Sequence, residues 1–289
     1  MNTVLSYNRN PLKFFLLVYG LSTPFWIIDF MMNAKRTSLL NFSIIDIITA
    51  FIPITAASIL VYKEEGKSGI GRLFKRIFDY SRIIKKIWYL PIILLPVLMY
   101  IMIYVVIFIL GLSLPNGWHI SFLSIPVLFC LYFLGAVAEE TGYMGYAVEP
   151  MEERFGALAA SILIGIPWAV WHYPSIIQQG HGLTFIAWAT LGTVAVRVLI
   201  VWLFNNTGKS LFACILFHTM LNLGRPLFPK DEMHNPLVDY PYIHYSLIAI
   251  VAFVVIFLWG SKTLATYKYH RKKSSLNSSA LTGNNHEQQ

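Results

Sequence analysis

Long apolar stretches separated by short polar segments dominate this chain. A helix needs roughly 20 mainly apolar residues to cross a bilayer, and eight stretches reach or approach that length. They lie at about 12–32, 40–62, 88–112, 120–142, 157–178, 183–204, 210–224 and 242–261. No polar stretch is long enough to build a separate core. The pattern predicts an all-α, polytopic membrane protein with about eight transmembrane helices, forming a single membrane domain over residues 1–289.

The polar segments are predicted to be loops and a tail. Residues 63–87 are polar and basic, and we expect them to form a cytoplasmic loop. The chain from about 268 to 289 is rich in Ser and Asn and is predicted to be disordered. The seventh apolar stretch, 210–224, is short, so we expect its helix to be tilted, broken or shielded by its neighbours.

Composition and charge agree with a membrane protein. Hydrophobic residues make up 56% of the chain and charged residues 12%, whereas soluble domains have about 25% charged residues. The net charge of +8 does not indicate nucleic acid as a partner, because the basic residues lie between the predicted spans. With 63–87 placed in the cytoplasm, the cytoplasmic segments carry 17 Lys and Arg and the outer loops four. This bias predicts that both termini are cytoplasmic, and the short loops favour a bacterial plasma membrane.

Two adjacent carboxylates, Glu139 and Glu140, lie inside an apolar stretch. Ionisable residues at bilayer depth are costly and usually mark a functional site. Adjacent helical residues point about 100° apart, so one carboxylate can face a cavity as a general base while the other takes a structural partner. The alternative is an ordinary helix end at the membrane edge.

Two histidines and an amide recur later in similar apolar surroundings. His172 and His218 each lie on a hydrophobic segment, and Asn222 follows His218 by four residues, on the same helical face. A single histidine on an apolar face is more often a core residue. Two histidines together with two carboxylates favour acid–base chemistry, and an amide beside an imidazole can stabilise an oxyanion.

Together these segments resemble the CPBP family, the CAAX-protease and bacteriocin-processing membrane proteins. The family motifs are Glu-Glu-x-x-x-Arg, an aromatic residue followed by three positions and His, and His-x-x-x-Asn. Here they read Glu139-Glu140-Thr-Gly-Tyr-Met144, Trp168-Ala-Val-Trp-His172 and His218-Thr-Met-Leu-Asn222. The resemblance implies a catalytic core over about 120–225.

The resemblance implies an intramembrane endopeptidase that hydrolyses a peptide bond of a membrane-associated protein or peptide, in a cavity opening toward the cytoplasm. By family analogy Glu139 would activate water with His172, while His218 and Asn222 would bind the water or the oxyanion. We favour a glutamic-type protease with no cofactor. If zinc is used instead, its ligands would be Glu139, His172 and His218. The lipid bilayer and the membrane-associated substrate are the expected partners, and a small secreted or bacteriocin-type peptide is favoured over a prenylated one.

Met144 departs from the family pattern, which has Arg at that position. Arg197 lies inside the sixth predicted span, and helical rise places it near the same end of the bundle as Glu140. Because intramembrane charges usually pair, we expect a Glu140–Arg197 ion pair to replace the missing arginine. The alternative is that Arg197 snorkels to the interface.

The expected site also constrains the fourth span. His172 would lie about 22 Å deep by helical rise, whereas Glu139 would be much shallower if its helix ended near 142. We therefore expect the fourth span to continue to about 148, with the polar loop at 149–154.

Two other functions remain open at this stage. A catalytically inactive family member could act as a membrane scaffold or a bacteriocin self-immunity protein, and Met144 is the feature that favours it. A proton-coupled transporter could use the same buried Glu and His residues as a relay. Transporters of that kind favour paired halves with interrupted helices, a pattern that this sequence does not show.

Overall fold

The computed structural model describes residues 9–32, 43–115, 122–231 and 234–265, and all regular structure within these ranges is helical. The α-helices are α1 (Pro11–Met32), α2 (Ile44–Ala50), α3 (Ile52–Lys75), α4 (Tyr89–Ile109), α5 (Ser124–Gly142), α6 (Val148–Phe155), α7 (Ala157–Gln178), α8 (Leu183–Asn206), α9 (Leu211–Leu227), α10 (Pro236–Asp239) and α11 (Pro241–Trp259). The chain is therefore an all-α polytopic membrane protein, as predicted. The tail from about 268, predicted to be disordered, lies outside the described residues.

The number of spans agrees with the eight predicted from the sequence when the short helix α9 is included. Within the described ranges, seven helical stretches are long and apolar enough to cross a bilayer. The eighth predicted span is α9, which has 17 residues and a length of about 25 Å. It packs against α4, α5 and α8. This short helix is thus shielded by its neighbours, which is one of the arrangements expected for it.

The basic segment 63–87 was predicted to be a loop, and this prediction is wrong. Helix α3 continues to Lys75, and short 3-10 turns occupy most of the remainder. Gly66, with φ 66° and ψ −162°, interrupts the helix. Next to this break, Glu65 accepts hydrogen bonds from Arg9 at 2.8 and 3.1 Å. Such pairing lets charged residues remain in a helix that packs against the bundle, a possibility that local polarity does not reveal.

The fourth span extends further than predicted. A π-helical turn at Tyr143–Ala147 joins α5 to α6, so the helical path runs from 124 to 155. Residues 149–154, predicted to be a polar loop, are helical instead. Their polarity is satisfied by partners within the bundle, because Glu149 forms an ion pair of 3.0 Å with Arg76. The expected deeper position of Glu139 follows from this extension.

Two glycines allow the helices around the predicted site to approach closely. A Cβ on Gly165 of α7 would lie 3.0 Å from the Cα of Val194 and 3.3 Å from the Cβ of Arg197, both on α8. A Cβ on Gly142 of α5 would lie 2.7 Å from the carbonyl oxygen of Pro53 on α3. These contacts hold α7 against α8 beside Arg197 and α5 against α3 beside the two glutamates.

Candidate active site

Four helices converge on the predicted site residues. Helix α5 carries Glu139 and Glu140, α7 carries His172, α8 carries Arg197, and α9 carries His218. Direct contacts link them in two groups, one around each glutamate. The residues that the sequence analysis selected from distant segments are therefore neighbours in the fold.

Glu140 is held by two cationic or potentially cationic side chains. Its Oε2 accepts a hydrogen bond from Nη1 of Arg197 at 2.6 Å, and both side chains are fully buried. Its Oε1 lies 2.8 Å from Nδ1 of His218. The structure thus contains the predicted Glu140–Arg197 ion pair, and Arg197 does not snorkel. Both carboxylate oxygens are engaged, which leaves Glu140 no oxygen free of a protein partner.

Arg197 is packed between aromatic rings. Its guanidinium carbon lies 4.1 Å from the centroid of the Trp168 ring and 5.2 Å from that of Tyr143. The atoms Nε and Nη2 have no hydrogen-bond acceptor within the described residues, and the ring faces provide cation–π stabilisation in their place. Arg197 therefore supplies the positive charge next to Glu140, while Met144, at the family's arginine position, is an apolar core residue.

Glu139 has different surroundings from its neighbour. Its Oε2 accepts a hydrogen bond from Nε1 of Trp168 at 2.6 Å. The same oxygen lies 3.9 Å from Nε2 of His172, a distance too long for a direct hydrogen bond and suitable for a bridging water. The Glu139 side chain also retains 10% exposure, whereas Glu140 has none. Glu139 is thus the more exposed of the two carboxylates.

His172 is more exposed than either glutamate. Its side chain is 36% exposed although protein atoms surround it on most sides, and the rings of Trp168 and Trp171 lie 5.7 and 4.9 Å away. His172 lies six residues before Gln178, the C-terminal residue of α7, which is about 9 Å along the helix axis. The most accessible member of the site therefore lies nearer the end of the bundle opposite to the basic segment 63–87. We had expected the cavity to open toward the basic side.

Asn222 lies one helical turn beyond His218 on the same face of α9. Its side chain is partly buried. In the part of the chain that the structure describes, its amide forms no hydrogen bond with another site residue. An amide in this position remains free to donate to a bound ligand.

The family model described as Type II CAAX prenyl endopeptidase Rce1-like matches residues 121–224, the region that carries both glutamates, both histidines and Asn222. The chain is also 27% identical over 274 residues to CAAX prenyl protease 2 of Methanococcus maripaludis, which covers 87% of this chain and 94% of the relative. In that region, and more weakly along most of its length, the chain is similar to CAAX proteases. These similarities support an intramembrane endopeptidase.

The zinc alternative would need Glu139, His172 and His218 to share one metal ion. Across the described ranges, no group of three or more His, Cys, Asp or Glu side chains is arranged to hold a metal ion. No step of the proposed chemistry is therefore routed through zinc.

Sequence reasoning missed how Trp168 and Tyr143 contribute to this candidate site. Trp168 was selected only as the aromatic residue of a motif, yet it donates to Glu139 and covers Arg197. A buried tryptophan N–H usually finds a hydrogen-bond acceptor. This rule could have indicated that Trp168 has a polar partner. Nothing in the sequence identified that partner as Glu139.

Proposed function

We propose that this chain is a glutamate-dependent intramembrane endopeptidase in which Glu139 activates the attacking water. The observation that carries the proposal is the difference between the two glutamates. Glu140 is fully buried and bound by Arg197 and His218, whereas Glu139 is accessible and lies 3.9 Å from His172. A general base must reach the proton that it removes, directly or through one water. Only Glu139 meets that requirement.

The proposed hydrolysis begins with a water bound between Glu139 and His172. As its oxygen attacks the scissile carbonyl carbon, one water proton passes to the Glu139 carboxylate. The carbonyl oxygen becomes an oxyanion, which the Asn222 amide and His218 stabilise by hydrogen bonding. Collapse of the tetrahedral intermediate breaks the C–N bond, and Glu139 returns its proton to the leaving nitrogen. The products are a new carboxylic acid and a new amine, and Glu139 ends in its starting state.

Glu140 and Arg197 are proposed to position this machinery rather than to react. The Glu140 carboxylate accepts a hydrogen bond from Nδ1–H of His218, which fixes the imidazole ring and leaves Nε2 directed to the ligand. Because Glu140 takes the Nδ1–H, His218 donates to the oxyanion through Nε2–H only as the imidazolium, a form that the negative charge of Glu140 stabilises. Arg197 in turn keeps Glu140 ionised in its buried position.

The substrate class that we propose is the C-terminal segment of a membrane-associated protein. The archaeal relative is named a CAAX prenyl protease, and the matching family is described as prenyl endopeptidases. We therefore propose that a prenylated CAAX-type peptide is the first substrate to test, alongside the unmodified secreted peptides favoured from the sequence alone.

The test is cleavage of both peptide classes by the detergent-purified protein. We expect Glu139→Gln to lower kcat by about 10²- to 10⁴-fold, the usual contribution of a general acid–base group. The matched control is Glu153→Gln, which makes the same change at an exposed position of α6 and should leave kcat unchanged. Each variant is assayed with and without a zinc chelator.

The outcomes separate the mechanisms. Loss of activity in Glu139→Gln, with full activity of the wild type in chelator, supports the glutamate-dependent reaction. Reversible loss of wild-type activity in chelator would contradict it and favour zinc. Absence of cleavage by the wild type across both peptide classes would favour an inactive family member.

A further inference from the structure

Arg225 is a cation near the candidate site for which the proposed mechanism has no use. It lies in the last turn of α9, and its side chain is exposed although protein atoms surround it closely. The ionisable groups around its guanidinium are three phenols and two imidazoles, those of Tyr100, Tyr132, Tyr245, His172 and His244, and Tyr100 is hydrogen-bonded to it. Within the described residues, no Asp or Glu forms an ion pair with it. An accessible arginine that is deeply surrounded and has no carboxylate partner is suited to bind an anion.

Arg225 lies on the same helix as His218, one of the proposed catalytic residues. Arg225 follows His218 by seven residues on α9, so the two lie on one face about 10 Å apart along the axis. Tyr132 precedes Glu139 by the same seven residues on α5, which packs against α9. Tyr132 and Arg225 also interact electrostatically, as expected if both lie two turns from the site in the same direction.

Arg225 also lies close enough to His172 to affect its charge. The positive charge of Arg225 acts on His172, the most accessible residue of the catalytic group. Asn222 lies between His218 and Arg225 on the same helical face. A ligand that extends from Arg225 along this face of α9 meets Asn222 and then His218.

We propose that Arg225 and Tyr132 form a carboxylate-binding subsite that holds the C-terminal α-carboxylate of the substrate. This inference rests on the proposed endopeptidase function. An arginine guanidinium binds a carboxylate through two parallel hydrogen bonds, and the Tyr132 hydroxyl can add a third. The axial distance of about 10 Å corresponds to about three extended residues, so the subsite places a bond close to the C-terminus of the substrate at Glu139.

The test measures binding separately from cleavage. A fluorescent, farnesylated peptide ending in Cys-Val-Val-Met is prepared with a free C-terminal acid and with a C-terminal amide. Binding of each is measured to the full-length, detergent-purified Glu139→Gln protein, and cleavage of each by the protein with Glu139 intact. We expect the acid to bind about 10- to 100-fold more tightly than the amide, as for a charge-assisted hydrogen-bonded pair.

Substitutions in the subsite test whether Arg225 and Tyr132 cause the tighter binding of the acid peptide. Arg225→Gln is expected to remove the difference between acid and amide, Arg225→Lys to restore part of it, and Tyr132→Phe to reduce it by several-fold. The matched control is Arg154→Gln, an exposed arginine that contacts the ring of Phe155, which should keep the full preference. In the cleavage assay the Arg225 effect should appear in KM for the acid peptide and leave the amide peptide unaffected.

The results also separate this proposal from the function on which it rests. An acid preference that depends on Arg225, in a protein that cleaves nothing, would overturn the endopeptidase and keep the subsite. Cleavage with no acid preference, or with a preference that survives Arg225→Gln, would overturn the subsite alone. Failure to bind or cleave either peptide would count against both.

Discussion

Glu139 and Glu140 are chemically identical neighbours with opposite surroundings. Glu140 is completely buried between Arg197 and His218. Glu139 contacts Trp168 and keeps part of its surface accessible. A helix makes this separation possible because consecutive side chains point about 100° apart. One residue can therefore be a fixed structural anion while the other remains available for proton transfer.

The first prediction concerns the buried ion pair. Arg197→Met should strongly destabilise the protein, because removing one partner of a buried pair costs about 3–5 kcal/mol. The measurement is the apparent Tm in detergent. The double variant Glu140→Gln with Arg197→Met should recover part of the loss, since neither charge then remains alone. A wild-type Tm in Arg197→Met would contradict the assignment of this pair.

The second prediction concerns the residue at the family's arginine position. Met144→Arg should lower the Tm and give no increase in kcat, because Met144 is fully buried and Arg197 already occupies the position beside Glu140. The measurement is kcat and Tm of the variant against wild type. A clear gain in kcat would show that the wild-type site lacks a charge that it needs.

At the residue scale, the sequence contained enough information to predict which residues meet but not how each is bonded. The Glu140–Arg197 pair follows from helical rise and from the cost of an unpaired charge in a membrane. The hydrogen bond from Trp168 to Glu139 depends on side-chain rotamers and on the separation of α5 from α7. Neither is encoded in the spacing of residues along the chain.

At the scale of single elements, the π-helical turn at Tyr143–Ala147 lies directly after the glutamates. Single π turns inside helices occur frequently at functional sites. The carbonyl of Gly145 within this turn accepts a hydrogen bond from Arg9 at 2.8 Å, so a side chain outside the helix satisfies it. Between the glutamates and this turn, Gly142 packs against Pro53 of α3. These contacts fix where α5 ends and how Glu139 is presented.

The third prediction uses two glycines of the same helix. Gly142→Ala should reduce both Tm and activity, because the added methyl group would lie 2.7 Å from the Pro53 carbonyl oxygen and force α5 away from α3. Gly135→Ala is the matched control, since nothing lies within 4 Å of its added methyl group. That control should be neutral or slightly stabilising, by up to about 1 kcal/mol. Equal effects of the two substitutions would contradict the close packing of α5 on α3.

Helix boundaries were the least predictable feature of the elements. The spans at 157–178 and 183–204 agree closely with α7 and α8, because apolar residues fill them from end to end. The segment 149–154 looked like a loop because it is polar. Its helix is stabilised by distant partners, including Arg76 for Glu149 and Asn205 for Glu152, and local sequence does not reveal such contacts.

At the scale of the whole molecule, basic and acidic side chains gather at one end of the bundle. Arg76 and Lys209 lie there with Glu149, and Lys262 accepts the backbone N–H of Ala157 through its carbonyl group. His172 and Arg225 lie toward the opposite end. The positive-inside bias and the accessible side of the site therefore point to opposite faces of the membrane.

The fourth prediction tests this orientation. In a Cys130→Ala background, Gly182→Cys and Ser261→Cys introduce thiols at exposed positions of opposite ends. If the basic end is cytoplasmic, a membrane-impermeant maleimide added to intact cells should label Gly182→Cys, and Ser261→Cys only after permeabilisation. The reverse pattern would place the accessible side of the site in the cytoplasm and overturn the orientation inferred from charge.

The division of roles between the two glutamates is tested most directly by measuring kcat and Tm together in Glu139→Gln and Glu140→Gln. For Glu139→Gln we predict a fall in kcat of about 10²- to 10⁴-fold with a nearly unchanged Tm, because this side chain acts on the substrate. For Glu140→Gln we predict a clear fall in Tm, because Arg197 then remains buried without its counter-ion. Retained activity in Glu139→Gln, or an unchanged Tm in Glu140→Gln, would contradict the account.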